Sequence, residues 1–166
     1  MAINKEKKGE ILARLTQIFR DSASVAFVNF HTLTVKNAQE LRRKMRETGS
    51  GYFVAKKTLI AKALEAQKYQ GETPALTGEV AVAYLEKGGN DLTAPLREIY
   101  GFEKKFEHSL SLLGGVFEGL FKGRDEALAL ATIPTRQTLL AQFVNLVNSP
   151  IQRFVVGLNE VAKKKS

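Results

Sequence analysis

Near the start of the chain, the spacing of hydrophobic residues is first typical of a helix and then typical of a strand. In residues 4–20, Ile11, Leu15, Ile18 and Phe19 recur at helical spacing, which predicts an amphipathic helix. Residues 24–30 are short, β-branched and aromatic, which is typical of a buried strand. Thr34 is a suitable cap for a further helix running to about residue 47. The chain is therefore predicted to open as helix, strand and helix.

The alternation of strands and helices continues to about residue 131. A strand is predicted at 52–55, followed by a helix that begins near Lys56 or Lys57. A strand at 79–85, a break at 88–90 and a helix at 92–105 come next. An extended segment at 110–117, interrupted by Gly114 and Gly115, leads to a short helix at 123–131. Residues 1–133 are thus predicted to form an α/β domain with a mixed sheet flanked by helices.

Beyond Pro134, two apolar helical segments are predicted, at 135–148 and from 151 onwards. Pro150 lies between them and must kink the helix or restart it. Residues 134–166 are therefore predicted to form a second domain, an extended, proline-hinged C-terminal α-helix. A helix this apolar needs a partner, which can be the same chain, another copy or a different protein. Its candidate contact residues are Leu139, Leu140, Phe143, Val144, Val147, Ile151, Phe154, Val155, Leu158 and Val161.

The net charge of +8 is concentrated at one end of the 166 residues. Residues 1–68 hold 14 Lys/Arg and 6 Asp/Glu, a balance of +8, whereas residues 69–166 hold 11 of each. Between Glu126 and Lys163, only Arg136, Arg153 and Glu160 are charged. This distribution indicates a polyanionic partner for the first part of the chain and a protein partner for the last.

Basic residues on three helices are the candidates for nucleic-acid contact. These helices are expected to begin or pack at one side of the sheet, and arginine pairs suit bidentate phosphate contacts. The candidate residues are Lys5, Lys7, Lys8, Lys36, Arg42, Arg43, Arg46, Lys56, Lys57, Thr58 and Lys62, with Lys44 in the same basic run.

Residues 51–58 resemble a nucleotide phosphate-binding loop but depart from it at one position. The pattern requires a second glycine where this chain has Lys56, and residues 52–55 are predicted to be a strand. Two uses of Lys56, Lys57 and Thr58 then remain open. They contact a phosphate at the start of a helix, or they are a solvated helix start.

The sequence gives little support for catalytic residues, a metal site or a bound cofactor. The chain has no cysteine, which fits a reducing compartment. His31 and His108 lie far apart in sequence and match no ligand or catalytic pattern. We therefore expect no catalytic residue, metal site or cofactor. Neither a signal peptide nor a membrane-spanning stretch is expected.

Several motifs, taken in order, resemble the bacterial large-subunit ribosomal protein L10 family over essentially the whole chain. They are VNFHTLTV at 28–35, LRRKMR at 41–46, YFVAKKTL at 52–59, GGVFEG at 114–119 and LATIPT at 130–135. The chain departs from the family pattern at Lys57, where asparagine is usual, and at Glu79, where proline is usual. The resemblance therefore assigns no RNA contact to Glu79.

The resemblance implies a role at the base of the ribosomal stalk in the cytoplasm. The N-terminal domain would bind large-subunit rRNA beside an L11-type protein. The C-terminal helix would hold acidic L7/L12-type dimers, which recruit translation GTPases. Two apolar segments suggest two dimers. The alternative from another functional class is a homo-oligomeric RNA-binding regulator whose C-terminal helices pair with themselves.

Overall fold

The structure is a computed structural model that describes residues 5–67, 69–71, 74, 76–86, 91–106 and 109–165. It divides into two compact units, Met1–Ile133 and Pro134–Ser166. The break predicted at 88–90 lies outside the described residues. The elements of the first unit are α1 (Lys5–Asp21), β1 (Ser22–Phe30), α2 (Val35–Glu47), β2 (Ser50–Val54), α3 (Lys57–Gln67), β3 (Val80–Glu86), α4 (Ala94–Lys105), β4 (Leu110–Phe117), β5 (Leu120–Lys122) and α5 (Arg124–Ala131).

The five strands form one sheet in the order β2-β3-β1-β4-β5. All its strand pairs are antiparallel, so the prediction of a mixed sheet was wrong in that detail. The helical connection from β1 to β2 returns the chain in the same direction, as expected for a strand-helix-strand unit. However, β3 inserts between β1 and β2 and pairs antiparallel with both of them. The α/β class with flanking helices is confirmed.

Helices cover both faces of the sheet because side chains of β1 alternate between two cores. Val25 and Phe27 pack with α1 and α3 in one core, whereas Ala26 and Val28 pack with α2, α4 and α5 in the other. All four side chains are buried, as the apolar run at 24–30 indicated. Thr34 caps α2 as predicted, its side chain accepting from the Asn37 N–H at 3.3 Å.

A β-bulge in β4 keeps that strand intact where the sequence indicated an interruption. The pairing with β1 shifts between Phe27 and Val28, so one extra residue of β4 is accommodated there. Leu112 consequently faces the core of α2, α4 and α5, whereas Val116 faces the core of α1 and α3. Without the extra residue, these two side chains would point to the same face.

Gly115 is predicted to be essential to the close packing of β4 on β1. A Cβ atom at this position would lie 2.5 Å from the backbone oxygen of Val25, which cannot move without breaking the sheet. Gly115→Ala should therefore lower the free energy of unfolding by about 1–3 kcal/mol, measured by urea denaturation. The control is Gly101→Ala in α4, where nothing lies within 4 Å. That change should stabilise by about 0.5–1 kcal/mol. Equal stability of the Gly115→Ala and wild-type chains would show that the contact with Val25 does not require glycine.

The second unit contains a single helix, α6 (Arg136–Lys165), with Pro150 inside it. Proline removes one backbone N–H and crowds the preceding turn, yet the helix continues on both sides. The two segments expected from the sequence are therefore parts of one helix. No helix among the described residues is long and apolar enough to cross a membrane.

Candidate functional site

The first candidate site is the end of the sheet at which α2 and α3 begin. β1 and β2 run in the same direction, so Phe30 and Val54 end these strands at one end of the sheet. The start of β3 lies there too, because Asn29 pairs with Val80 and Val54 pairs with Ala81. The strand pairing therefore brings the starts of two basic helices to one end of the sheet.

Lys56, Lys57 and Thr58 lie at this sheet end with exposed side chains. The Lys56 carbonyl accepts hydrogen bonds from the N–H groups of Leu59 at 2.8 Å and Ile60 at 3.2 Å, which starts α3. The preceding residues belong to a paired strand, with Tyr52 opposite Ala83. This strand pairing is incompatible with a flexible loop wrapped around a nucleotide.

The remaining candidate basic residues are divided between the two faces of the sheet. α1 carries Lys7 and Lys8 and packs on the same face as α3, which carries Lys62. α2 carries the other candidates and packs on the opposite face. The helices were expected to begin or pack at one side of the sheet: α2 and α3 begin at one end of it, but the three helices do not pack on one face. The physical reason is that successive crossovers from β1 and β2 cover opposite faces. The side chain of Lys5 lies outside those that the structure describes.

Strand β2 lies at the edge of the sheet and has a guanidinium group against each of its faces. Arg42 of α2 lies 5.9 Å from the Tyr52 ring centroid, and Arg14 of α1 lies 5.1 Å from that of Phe53. Burial raises the pKa of Tyr52 to about 12, against a smaller lowering by Arg42. The phenol is neutral at pH 7, as an unshifted tyrosine also is, so the positive charge of Arg42 stays uncancelled. The edge of the sheet thus joins basic residues from both faces.

On the outer surface of α2, one of the exposed basic residues is paired with a carboxylate. Lys36, Arg42 and Arg46 are exposed, and Arg43 is exposed but forms an ion pair with Glu47 at 3.0 Å. Such exposed pairs hold their partners weakly, so Arg43 remains available to phosphate.

Lys105, a basic residue beside α2, was not predicted from the sequence, whereas Lys44 of α2 belongs to the basic run identified there. Lys44 and Lys105 lie 5.3 and 5.9 Å from the Phe102 ring centroid. Lys105 also donates a hydrogen bond to Glu40 at 2.7 Å, which lowers the pKa of that carboxyl below its ordinary value. Lys105 lies in the part of the chain without excess charge, so composition gave no reason to choose it. Arg14 was missed because helical spacing does not reveal which strand lies beneath a side chain.

The second candidate site is the apolar face of α6. Seven residues succeed one another at alternating steps of four and three, which keeps them on one side of a helix. Pro150 falls outside this seam, and the continuous helix preserves the spacing across it. The seam residues are Leu140, Val144, Val147, Ile151, Phe154, Leu158 and Val161.

Every seam residue of α6 is at least half exposed, from 54% for Val161 to 68% for Phe154. Leu139, Phe143 and Val155 flank the seam and are exposed as well. By contrast, apolar side chains of the first unit fill two buried cores. An exposed apolar face of this length is typical of a surface that binds another protein.

Neither histidine belongs to a catalytic or metal-binding group among the described residues. His31 is exposed beyond the end of β1, and His108 lies outside the described residues. No group of three or more potential metal ligands occurs within the described part of the chain.

Comparisons with known proteins extend over both units. The family model described as Ribosomal protein L10 matches residues 3–104, and that described as Ribosomal protein uL10 C-terminal region matches residues 133–166. The large ribosomal subunit protein uL10 of Shouchella clausii (strain KSM-K16) is 34% identical over 160 residues, covering 96% of this chain and 94% of that protein. The protein of the same name from Clostridium tetani (strain Massachusetts / E88) is 33% identical over 162 residues, covering 98% and 92%.

Proposed function

We propose that this chain, which belongs to the ribosomal protein L10 family, forms the base of the ribosomal stalk. Membership of the family makes it a structural, non-enzymatic constituent of the large ribosomal subunit. Its first unit binds large-subunit rRNA, and α6 anchors acidic L7/L12-type dimers. The protein acts in the cytoplasm, on the ribosome. The observation that carries the proposal is the exposed apolar seam of α6, in a chain whose residues 1–68 alone balance to the whole net charge of +8.

The rRNA contact is proposed for the sheet end and the β2 edge. Lys56, Lys57 and Thr58 offer exposed donors at the sheet end, and Arg42 lies along the edge. Contacts of this kind neutralise backbone phosphates, so the affinity should fall steeply as salt concentration rises. The other proposed contacts are Lys5, Lys7, Lys8, Lys36, Arg43, Arg46 and Lys62.

Dimer anchoring is proposed for the whole apolar face of α6, with one dimer on either side of Pro150. The part before Pro150 offers Leu139, Leu140, Phe143, Val144 and Val147, and the part after it offers Ile151, Phe154, Val155, Leu158 and Val161. Each part spans more than two helical turns, enough to dock into a groove between helices. Burial of apolar area drives this attachment, so it should respond little to salt.

The two attachments together explain a role in recruiting translation factors. The dimers would bind translation GTPases, and this chain would hold them on the subunit beside an L11-type protein. The rival is a homo-oligomeric RNA-binding regulator, in which the seam of α6 pairs with a second copy. A seam of alternating steps of three and four suits either partner, so stoichiometry decides between them.

Native mass spectrometry of the chain co-expressed with an acidic L7/L12-type protein tests the proposal. We expect one copy of this chain with two dimers, because the apolar face is long enough to offer a stretch of more than two helical turns on either side of Pro150. One or three dimers would contradict the count. A defined homo-oligomer that ignores the acidic protein would contradict the stalk function and favour the regulator.

A further inference from the structure

A cleft opens at the sheet end, where β1 and β2 finish and β3 begins. Its lining includes Phe30, Val54, Lys56, Lys57, Gly78 and Glu79, and we call it the sheet-end cleft. Its volume is about 470 Å³, within the range of pockets that hold small organic groups. Strand pairing holds its walls in place, since Val54 is paired with Ala81 of β3.

The walls of the sheet-end cleft combine apolar and cationic surface. Phe30 is half-buried, and Val54 is 42% exposed although it belongs to a strand. Lys56 and Lys57 are exposed directly beside Val54. An aromatic and aliphatic wall next to two ammonium groups matches a planar base joined to a phosphate.

Glu79 is held at the cleft by its backbone. Its carbonyl accepts a hydrogen bond from the Phe30 N–H at 3.0 Å. The preceding Gly78 has a φ of +72°, and a Cβ there would lie 2.8 Å from Asn29 Oδ1, so the turn requires glycine. None of the ion pairs between described residues involves Lys56, Lys57 or Glu79. Their charges are therefore available to a ligand.

We propose that the sheet-end cleft binds an unpaired guanine of an RNA, with Glu79 reading its Watson–Crick edge. A carboxylate only accepts hydrogen bonds, and guanine presents N1–H and N2–H side by side, which suits both carboxylate oxygens. Uracil presents a carbonyl on each side of its single N–H, and these oxygens repel the carboxylate. Lys56 and Lys57 neutralise the neighbouring phosphate, and Phe30 and Val54 cover the face of the base. This inference rests on the proposed rRNA-binding function and makes Glu79 its specificity-determining residue.

The test measures fluorescence anisotropy with the full chain and two labelled single-stranded RNAs, UUUGUUU and UUUUUUU. The guanine-containing heptamer should bind at least about fivefold more tightly, the lower end of the discrimination that a good bidentate pair gives. Glu79→Gln should reduce this preference below about twofold, because an amide offers one acceptor and one donor group. Glu86→Gln is the matched control, since Glu86 is exposed at the opposite end of β3. It should keep the preference of the wild-type chain.

Equal affinity for the two heptamers, or binding of neither, would overturn the inference. So would an undiminished preference in Glu79→Gln. A further contradicting result is competition by free guanosine monophosphate that is as strong as competition by the guanine-containing heptamer. The last would assign the cleft to free nucleotides. Binding of a large-subunit rRNA fragment is measured in parallel. If the fragment binds and the heptamers do not differ, only this inference fails. If the fragment does not bind, the proposed function fails as well.

Discussion

A chain carrying both Lys56→Glu and Lys57→Glu is expected to bind large-subunit rRNA on the order of a hundredfold more weakly than the wild-type chain. Both lysines are exposed at the sheet end, so the changes remove two charge-assisted phosphate contacts and add repulsion. The slope of log affinity against log salt should become shallower by about two, one for each lost contact. Filter binding over a series of salt concentrations measures both quantities.

The control for this prediction is a chain carrying Lys163→Glu and Lys164→Glu. These lysines are also adjacent and exposed, and the change in net charge is the same, but they lie near the end of α6. Their replacement should lower rRNA affinity only slightly. A Lys56/Lys57 variant that binds rRNA as the wild-type chain does would remove the sheet end from the proposed rRNA surface. Equal weakening in both variants would show that net charge matters and position does not.

Introducing a carboxylate into the apolar seam of α6 is expected to remove one dimer. Phe154→Asp eliminates a ring that is 68% exposed in the chain and places a charge where apolar surface should become buried. Loss of the ring alone costs about 1.5–3 kcal/mol, and desolvation of the charge adds to it, so affinity at that site should fall at least about a hundredfold. Phe143→Asp should act likewise on the other side of Pro150. A chain with both changes should carry no dimer but bind rRNA normally.

Gln152→Asp provides the matched control for Phe154→Asp. It introduces the same charge two residues away, on the side of the helix opposite the seam. Two dimers should remain bound, as counted by native mass spectrometry. If Phe154→Asp also retains both dimers, the seam is not the attachment surface. If Gln152→Asp loses as much as Phe154→Asp does, helix disruption rather than the seam explains the loss.

Most elements of the first unit were predictable because local spacing determines them. The short apolar run at 24–30 and the helical spacing before it correspond to β1 and α1. The antiparallel pairing was not predictable, since insertion of β3 between β1 and β2 depends on contacts between distant residues. β5 escaped notice because it has three residues and its connecting turn is unusual. Glu118 and Gly119 both have positive φ, and glutamate is not a residue that signals such a turn.

The candidate site was only partly predictable for the same reason. Lys56 and Lys57 stood out because they are adjacent at the predicted start of a helix. Glu79, which we propose as a contact residue of the sheet-end cleft, was noted in the sequence only as a departure from the family pattern, because only the register of β3 against β1 brings it beside Phe30. Pro150 was expected to divide the C-terminal helix, yet a proline removes a single backbone donor and long flanking helical stretches continue past it. Local rules thus identified the charged and apolar surfaces, while strand pairing determined which residues meet.

If the chain holds rRNA through its first unit and stalk dimers through α6, the two attachments should be separable. Ending the chain at Ile133, where the two compact units separate, and repeating native mass spectrometry with the acidic protein and an rRNA fragment measures both at once. The shortened chain should bind the fragment with unchanged affinity and carry no dimer, whereas the full chain should carry both. Dimers retained by the shortened chain, or rRNA binding lost with α6, would contradict this assignment.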